Sequence, residues 1–125
     1  MYWMDEIDDK PAVIRSNGDQ KWFKHILHRD DDPAVIYVDG RQEWWVNGMR
    51  HRNNDLPAIY SDNVQEWWFN GKLHRDDDKP AVLFKNGRQE WWMNGMRHRK
   101  NNLPAIIRVD GHQEWWMNGI RIVSK

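Results

Sequence analysis

From Pro33 the chain reads "PAVIYVDG RQEWWVNG MRHRNNDL", a short apolar run, a turn, a mixed run around two tryptophans, a second turn and a polar link. The apolar stretches are too short, and too often broken by glycine or proline, to form an amphipathic helix. They are β-length, and Asn-Gly or Asp-Gly stands between them. Asn47–Gly48, Asn70–Gly71, Asn94–Gly95 and Asn118–Gly119 follow the tryptophans by one residue, whereas Asn17–Gly18, Asp39–Gly40, Asn86–Gly87 and Asp110–Gly111 precede them. Such dipeptides favour tight hairpins because both residues tolerate positive φ. The pattern predicts an all-β chain, a single-layer twisted antiparallel meander with two hairpins per unit.

The unit recurs. Trp22, Trp44, Trp67, Trp91 and Trp115 follow one another at steps of 22, 23, 24 and 24 residues, and residues 40–52 return at 87–99 with one change. Periods of this size indicate a repeat array. The expected organisation is a partial N-terminal capping unit over residues 1–10, around Tyr2–Trp3, followed by five tandem hairpin repeats over 11–125 that form one domain. In the last unit Ile122–Val123 replaces the His-Arg of the others. Each link carries a proline (Pro33, Pro57, Pro80, Pro104) that cannot donate to a ladder, so a bulge or excursion is expected there.

Two-residue turns fix a register. Across Asn47–Gly48, Val46 should face Met49, Trp45 Arg50, Trp44 His51, and Glu43 Arg52. Across Asp39–Gly40, Tyr37 should face Gln42, Ile36 Glu43, Val35 Trp44, and Ala34 Trp45. Because successive side chains alternate, one face is expected to hold Trp44, Val35, Tyr37, Val46, Met49 and His51. The other should hold Trp45, Ala34, Ile36, Glu43, Arg50 and Arg52, with Arg50 across the Trp45 ring and Glu43 paired with Arg52. The first, more adaptable face makes Trp44, Val46, Met49, Trp67, Phe69, Trp91, Met93, Met96, Trp115 and Met117 candidates for partner binding. On the second face Trp45, Arg50, Trp68, Trp92, Arg97, Trp116 and Arg121 are the candidate ligand residues.

Composition narrows the chemistry. Ten tryptophans argue for a folded chain despite 30% charged residues. Lys plus Arg and Asp plus Glu number 19 each, so no net field draws the protein to nucleic acid or an anionic membrane, although Arg-Trp interleaving does suit single strands. Without cysteine there is neither a disulfide framework nor a thiolate metal site. The opening "MYWMDEIDDK" does not read as a signal peptide, and no run approaches the roughly 18 apolar residues of a membrane helix. A cytoplasmic protein is expected. Asp30–Asp32 and Asp76–Asp78 could offer oxygens to calcium, but Asn53–Asn54–Asp55 and Lys100–Asn101–Asn102 fill the matching links, so no metal and no cofactor are expected. His28, His51, His74 and His98 recur once per unit instead of converging, and no nucleophile motif or phosphate loop accompanies them. The chain therefore reads as no enzyme.

Glu43-Trp44-Trp45, then Asn47–Gly48, then His51–Arg52 resembles a divergent form of the MORN repeat over about residues 11–123. It departs where the family's glycines follow the histidine, since "DDDPA" or "NNDLPA" stands there. The resemblance implies a single-layer sheet that serves as a scaffold or binding platform, sometimes dimeric and sometimes in contact with lipid. Similar repeats in giant viruses, phages and bacteria imply such a source, with the host cytoplasm as the setting if viral, and an inhibitor or adaptor role. The reading is a non-catalytic scaffold for a protein partner or for its own copy as a homodimer. The alternative is a Trp-rich module for carbohydrate or choline-like groups, from a weaker likeness to the hairpin repeats that bind them.

Overall fold

At each Asn-Gly corner that follows a tryptophan pair both residues take positive φ, 52° and 78° at Asn47 and Gly48, which is the backbone twist a two-residue hairpin requires. The computed structural model describes residues 10–123, and the partial unit around Tyr2–Trp3 lies outside them. The described residues contain no helix and form an antiparallel meander of hairpins.

Each repeat contributes two hairpins. The first adds to one continuous sheet, whose neighbours follow chain order: Val13–Ile14, Gln20–Lys21, Val35–Ile36, Gln42–Glu43, Ile59–Tyr60, Val64–Glu66, Val82–Phe84, Gln89–Glu90, Ile106–Ile107, Gln113–Met117 and Ile120–Ile122. The second hairpin is a two-stranded ribbon: Phe23–Lys24 with Ile26–Leu27, Trp45–Val46 with Met49–Arg50, Trp68–Phe69 with Lys72–Leu73, and Trp92–Met93 with Met96–Arg97. In the last unit the strand Gln113–Met117 runs unbroken from sheet into ribbon.

The ribbon register matches expectation, with Trp45 opposite Arg50 and Val46 opposite Met49. The first hairpin does not. Val35 pairs with Glu43 and Ile36 with Gln42, one residue away from the two-residue reading. The Tyr37 N–H donates to the Arg41 carbonyl, so Val38, Asp39 and Gly40 form a three-residue loop. Gly40 alone takes positive φ, 99°, while the Asp39 carboxylate accepts the Arg41 N–H at 2.9 Å. Asp39 thus caps the turn with its side chain instead of entering the left-handed region. Since a one-residue slip exchanges faces, Val35 lies opposite Glu43 and not Trp44.

A bulge separates sheet from ribbon. The Ala34 N–H donates to the Glu43 carbonyl although Val35 is paired with Glu43, so two residues oppose one. Ala58, Ala81 and Ala105 repeat this toward Glu66, Glu90 and Glu114. The alanine carbonyl accepts the N–H of the preceding unit's first tryptophan: Trp22, Trp44, Trp67 and Trp91 donate at 2.7 to 2.8 Å. All four alanines are fully buried, and so Ala34 lies at the joint between units instead of across from Trp45. The core is this line of alanines with Val35, Ile59, Val82, Ile106 and the first tryptophans.

Adjacent ribbons are tied in the same way at every joint. At the second, the Arg52 N–H donates to the Trp68 carbonyl at 3.3 Å, and the Gly71 N–H donates to the Arg50 carbonyl at 2.9 Å. The imidazole adds a third bond, because His51 Nδ1 accepts the Asn70 N–H at 3.0 Å. His28, His74 and His98 do likewise for Asn47, Asn94 and Asn118. Nδ1 is therefore the unprotonated nitrogen, and the hydrogen sits on Nε2.

Candidate interaction surface

The first tryptophan of each pair is an interior residue. Trp44, Trp67 and Trp91 are only 9%, 6% and 6% exposed, and Trp115 in the last unit is half-buried. The arginine of the following His-Arg lies over each ring: Arg29 on Trp22, Arg52 on Trp44, Arg75 on Trp67 and Arg99 on Trp91, with the guanidinium carbon 3.6 to 3.8 Å from the ring centroid. Each of these arginines also donates from Nη1 to its own link's proline carbonyl at 3.1 Å. Arg52 is thus a lid on Trp44 and makes no pair with Glu43, contrary to the sequence expectation. Desolvation lowers its pKa.

The links complete this interior. Asn54–Asp55, Asp77–Asp78 and Asn101–Asn102 each place two consecutive residues at positive φ, which Asn and Asp tolerate better than other side chains. That path turns the carbonyls of Asp55, Asp78 and Asn102 toward the next unit, where they accept the indole N–H of Trp67, Trp91 and Trp115 at 3.1 Å. The Asp55 carboxylate also holds Arg75, through Nε at 2.9 Å and Nη2 at 3.3 Å, together with Lys79. Its pKa is lowered, chiefly by the Arg75 hydrogen bond. Asp78 holds Arg99 in the same way.

The first link is one residue shorter: Asp32 precedes Pro33 directly, whereas Leu56 stands between Asp55 and Pro57. No pair of left-handed residues forms there, and the buried Trp44 indole nitrogen has no hydrogen-bond partner. A leucine inserted between Asp32 and Pro33 should create the missing acceptor. An orphaned buried donor costs about 1–3 kcal/mol, so the urea midpoint should rise by the equivalent of about 1 kcal/mol. An unchanged or lower midpoint would contradict the role given to link length.

The second tryptophans occupy the opposite side of the ribbons. The indole N–H groups of Trp45, Trp68, Trp92 and Trp116 donate to Glu43, Glu66, Glu90 and Glu114 at 2.8 to 3.1 Å. Arg50 lies between Trp45 and Trp68, at 5.2 and 5.0 Å, and Arg97 between Trp92 and Trp116, at 5.1 and 5.0 Å. Leu73 faces Trp68 where the second, fourth and fifth units place an arginine, and Arg121 is exposed. Three of the glutamates also hold an arginine: Arg41 on Glu43, Arg88 on Glu90 and Arg108 on Glu114. Burial would raise the Glu114 pKa, but the Trp116 N–H with Arg108 and Arg121 brings it below the usual carboxylate value.

What remains open is the other ribbon face. Val46 pairs with Met49, Phe69 with Lys72, Met93 with Met96, and Met117 with Ile120, so each pair shares one side. Met49, Phe69, Met96 and Met117 are 40 to 48% exposed, and Val46 and Met93 are half-buried. Ile26 and Ile120 extend the strip at its two ends. They occupy the same position after the turn as Met49 and Met96, but Ile26 escaped notice because no Asn-Gly marks its hairpin. Among the described residues no group of three His, Asp or Glu converges as a metal site would require, and no helix is long and apolar enough to cross a membrane. In comparisons with family models, curated proteins and solved structures, nothing matches the chain.

Proposed function

We propose that this chain is a non-catalytic, MORN-like repeat scaffold that docks a protein partner along the apolar ribbon strip. The observation behind this reading is the recurrence, in consecutive ribbons, of a large apolar side chain about two-fifths exposed: Met49, Phe69, Met96 and Met117. Isolated apolar residues on a surface need no explanation, but an aligned row of them marks a contact surface. Met is suited to this because its unbranched, polarizable side chain adapts to irregular partners. Catalysis draws no support from the histidines, because each spends Nδ1 on the same joint between units.

The alternative, sugar or choline-like ligands on the second tryptophans, has less support. Those indole N–H groups are already bonded to glutamates, and Arg50 and Arg97 already lie against the rings. A ligand would have to displace an arginine at each step.

Replacing Met49 and Met96 together by serine should abolish association, read as mass by light scattering for self-association and as co-purification for a host partner. Folding stability should fall by only about 1 kcal/mol. A wild-type protein that stays strictly monomeric, captures no partner and binds no hydrophobic dye would refute the scaffold reading.

A further inference from the structure

Clefts lie between the second and third links, between the third and fourth links, and between the fourth link and the last unit. The cleft between the third and fourth links measures about 540 Å³, against about 190 and 220 Å³ for the clefts on either side of it. Sites that enclose a small ligand span roughly 300–1,000 Å³, so of these three only the middle cleft has that capacity.

Its walls differ from those of its neighbours because of one residue. Nε2 of His28, His51 and His74 lies 2.7 to 2.8 Å from an oxygen two residues on, in Asp30, Asn53 and Asp76. After His98 that position is Lys100, which has no acceptor to offer. His98 Nδ1 takes the Asn118 N–H, so its Nε2 carries a hydrogen, and that donor has no partner among the described residues. His98 and Lys100 both line the large cleft. On the facing wall Asp76 receives His74 and Asp78 receives Arg99, which leaves the Asp77 carboxylate as an acceptor with no partner among the described residues. Met93 and the Trp91 ring beneath Arg99 supply apolar lining.

Charge selects the class of occupant. Asp76, Asp77 and Asp78 balance Arg75, Arg99 and Lys100, so with a neutral His98 the cleft carries no net charge. A net-charged ligand would gain little from such walls. A group that offers one acceptor, one donor and an apolar side chain meets all three features at once, and extended polypeptide offers them in every residue.

We propose that this cleft takes an extended apolar peptide segment of the partner protein. A backbone carbonyl accepts from His98 Nε2–H, a backbone N–H donates to Asp77, and an apolar side chain rests on Met93 beside Trp91. The occupant's being part of a protein rests on the scaffold reading, while the cleft stands on its own geometry.

The test is a titration of the whole chain with N-acetyl-leucyl-leucine amide, followed through the ¹⁵N–¹H signals of the histidine and indole rings. Saturable shifts should appear at His98 and Trp91 while His28 and His74 stay still. Lys100→Asp rebuilds the His28–Asp30 contact and should weaken binding at least tenfold without lowering Tm. His98→Asn keeps an acceptor near the Nδ1 position, removes the Nε2 donor, and should weaken binding to the same degree. No shift at His98, equal shifts at all the histidines, full affinity in both variants, or equal shifts with free acetate would overturn the proposal. If the titration fails while association that depends on Met49 persists, the cleft alone is refuted. If Met49→Ser leaves both association and titration intact, the strip reading falls instead.

Discussion

Trp67→Ala is expected to lower the stability of the array by about 3–5 kcal/mol, the range for truncating a buried large aromatic. The ring is 6% exposed, its N–H is held by the Asp55 carbonyl, and the Arg75 guanidinium covers it at 3.7 Å. Truncation empties a space bounded by two links and strands from two units, and the described residues supply no helix that could collapse into it. Arg75 also loses the surface it lies on, although Asp55 and Pro80 still hold its ends. Trp68→Ala, on the half-buried side, should cost clearly less. Urea unfolding of both variants gives the comparison, and equal losses would mean that the two indoles of a pair are not differently housed.

Ala81→Leu carries the second largest expected effect, a loss of about 1–3 kcal/mol from forcing extra methylenes into a filled site. Ala81 is fully buried at the bulge, and both of its backbone groups are committed, the N–H to Glu90 and the carbonyl to Trp67. Nothing at that point can retreat without breaking a bond between units. Ala81→Gly should cost only about 0.5–1 kcal/mol, through backbone entropy. A leucine variant with wild-type Tm would show that the joint has slack the packing does not reveal.

The repeat, its hairpins and the ribbon register were legible in the chain because the Asn-Gly turns after the tryptophans close two-residue hairpins. Asp39–Gly40 misled because the same two letters support two turn types. The choice lay with the Asp39 side chain, which bonds the Arg41 N–H and leaves only glycine at positive φ. The opposite fates of Trp44 and Trp45 followed the expected alternation. The burial of Trp44, Trp67 and Trp91 did not show, since it depends on the route of the links and on arginines that reach back from the end of the unit. Asn54–Asp55 reads as a polar loop, and its composition does not say that its carbonyl will face an indole one unit away. The strip at Met49, Phe69, Met96 and Met117 was visible because cross-strand pairing alone fixes which side those residues take. The cleft beside His98 became visible only once the imidazole tautomer could be assigned from Asn118.

Among the described residues, the bonds at the joints run from one unit to its neighbour. The array is therefore modular in the way a chain of identical links is: a copied unit would inherit both halves of its joints and disturb none of the others. Contact length then becomes a quantity that gene duplication can adjust without redesigning any residue. The near-identity of residues 40–52 and 87–99 fits growth by that route, and divergence at single positions such as Lys100 is how an otherwise uniform ruler would acquire a marked graduation.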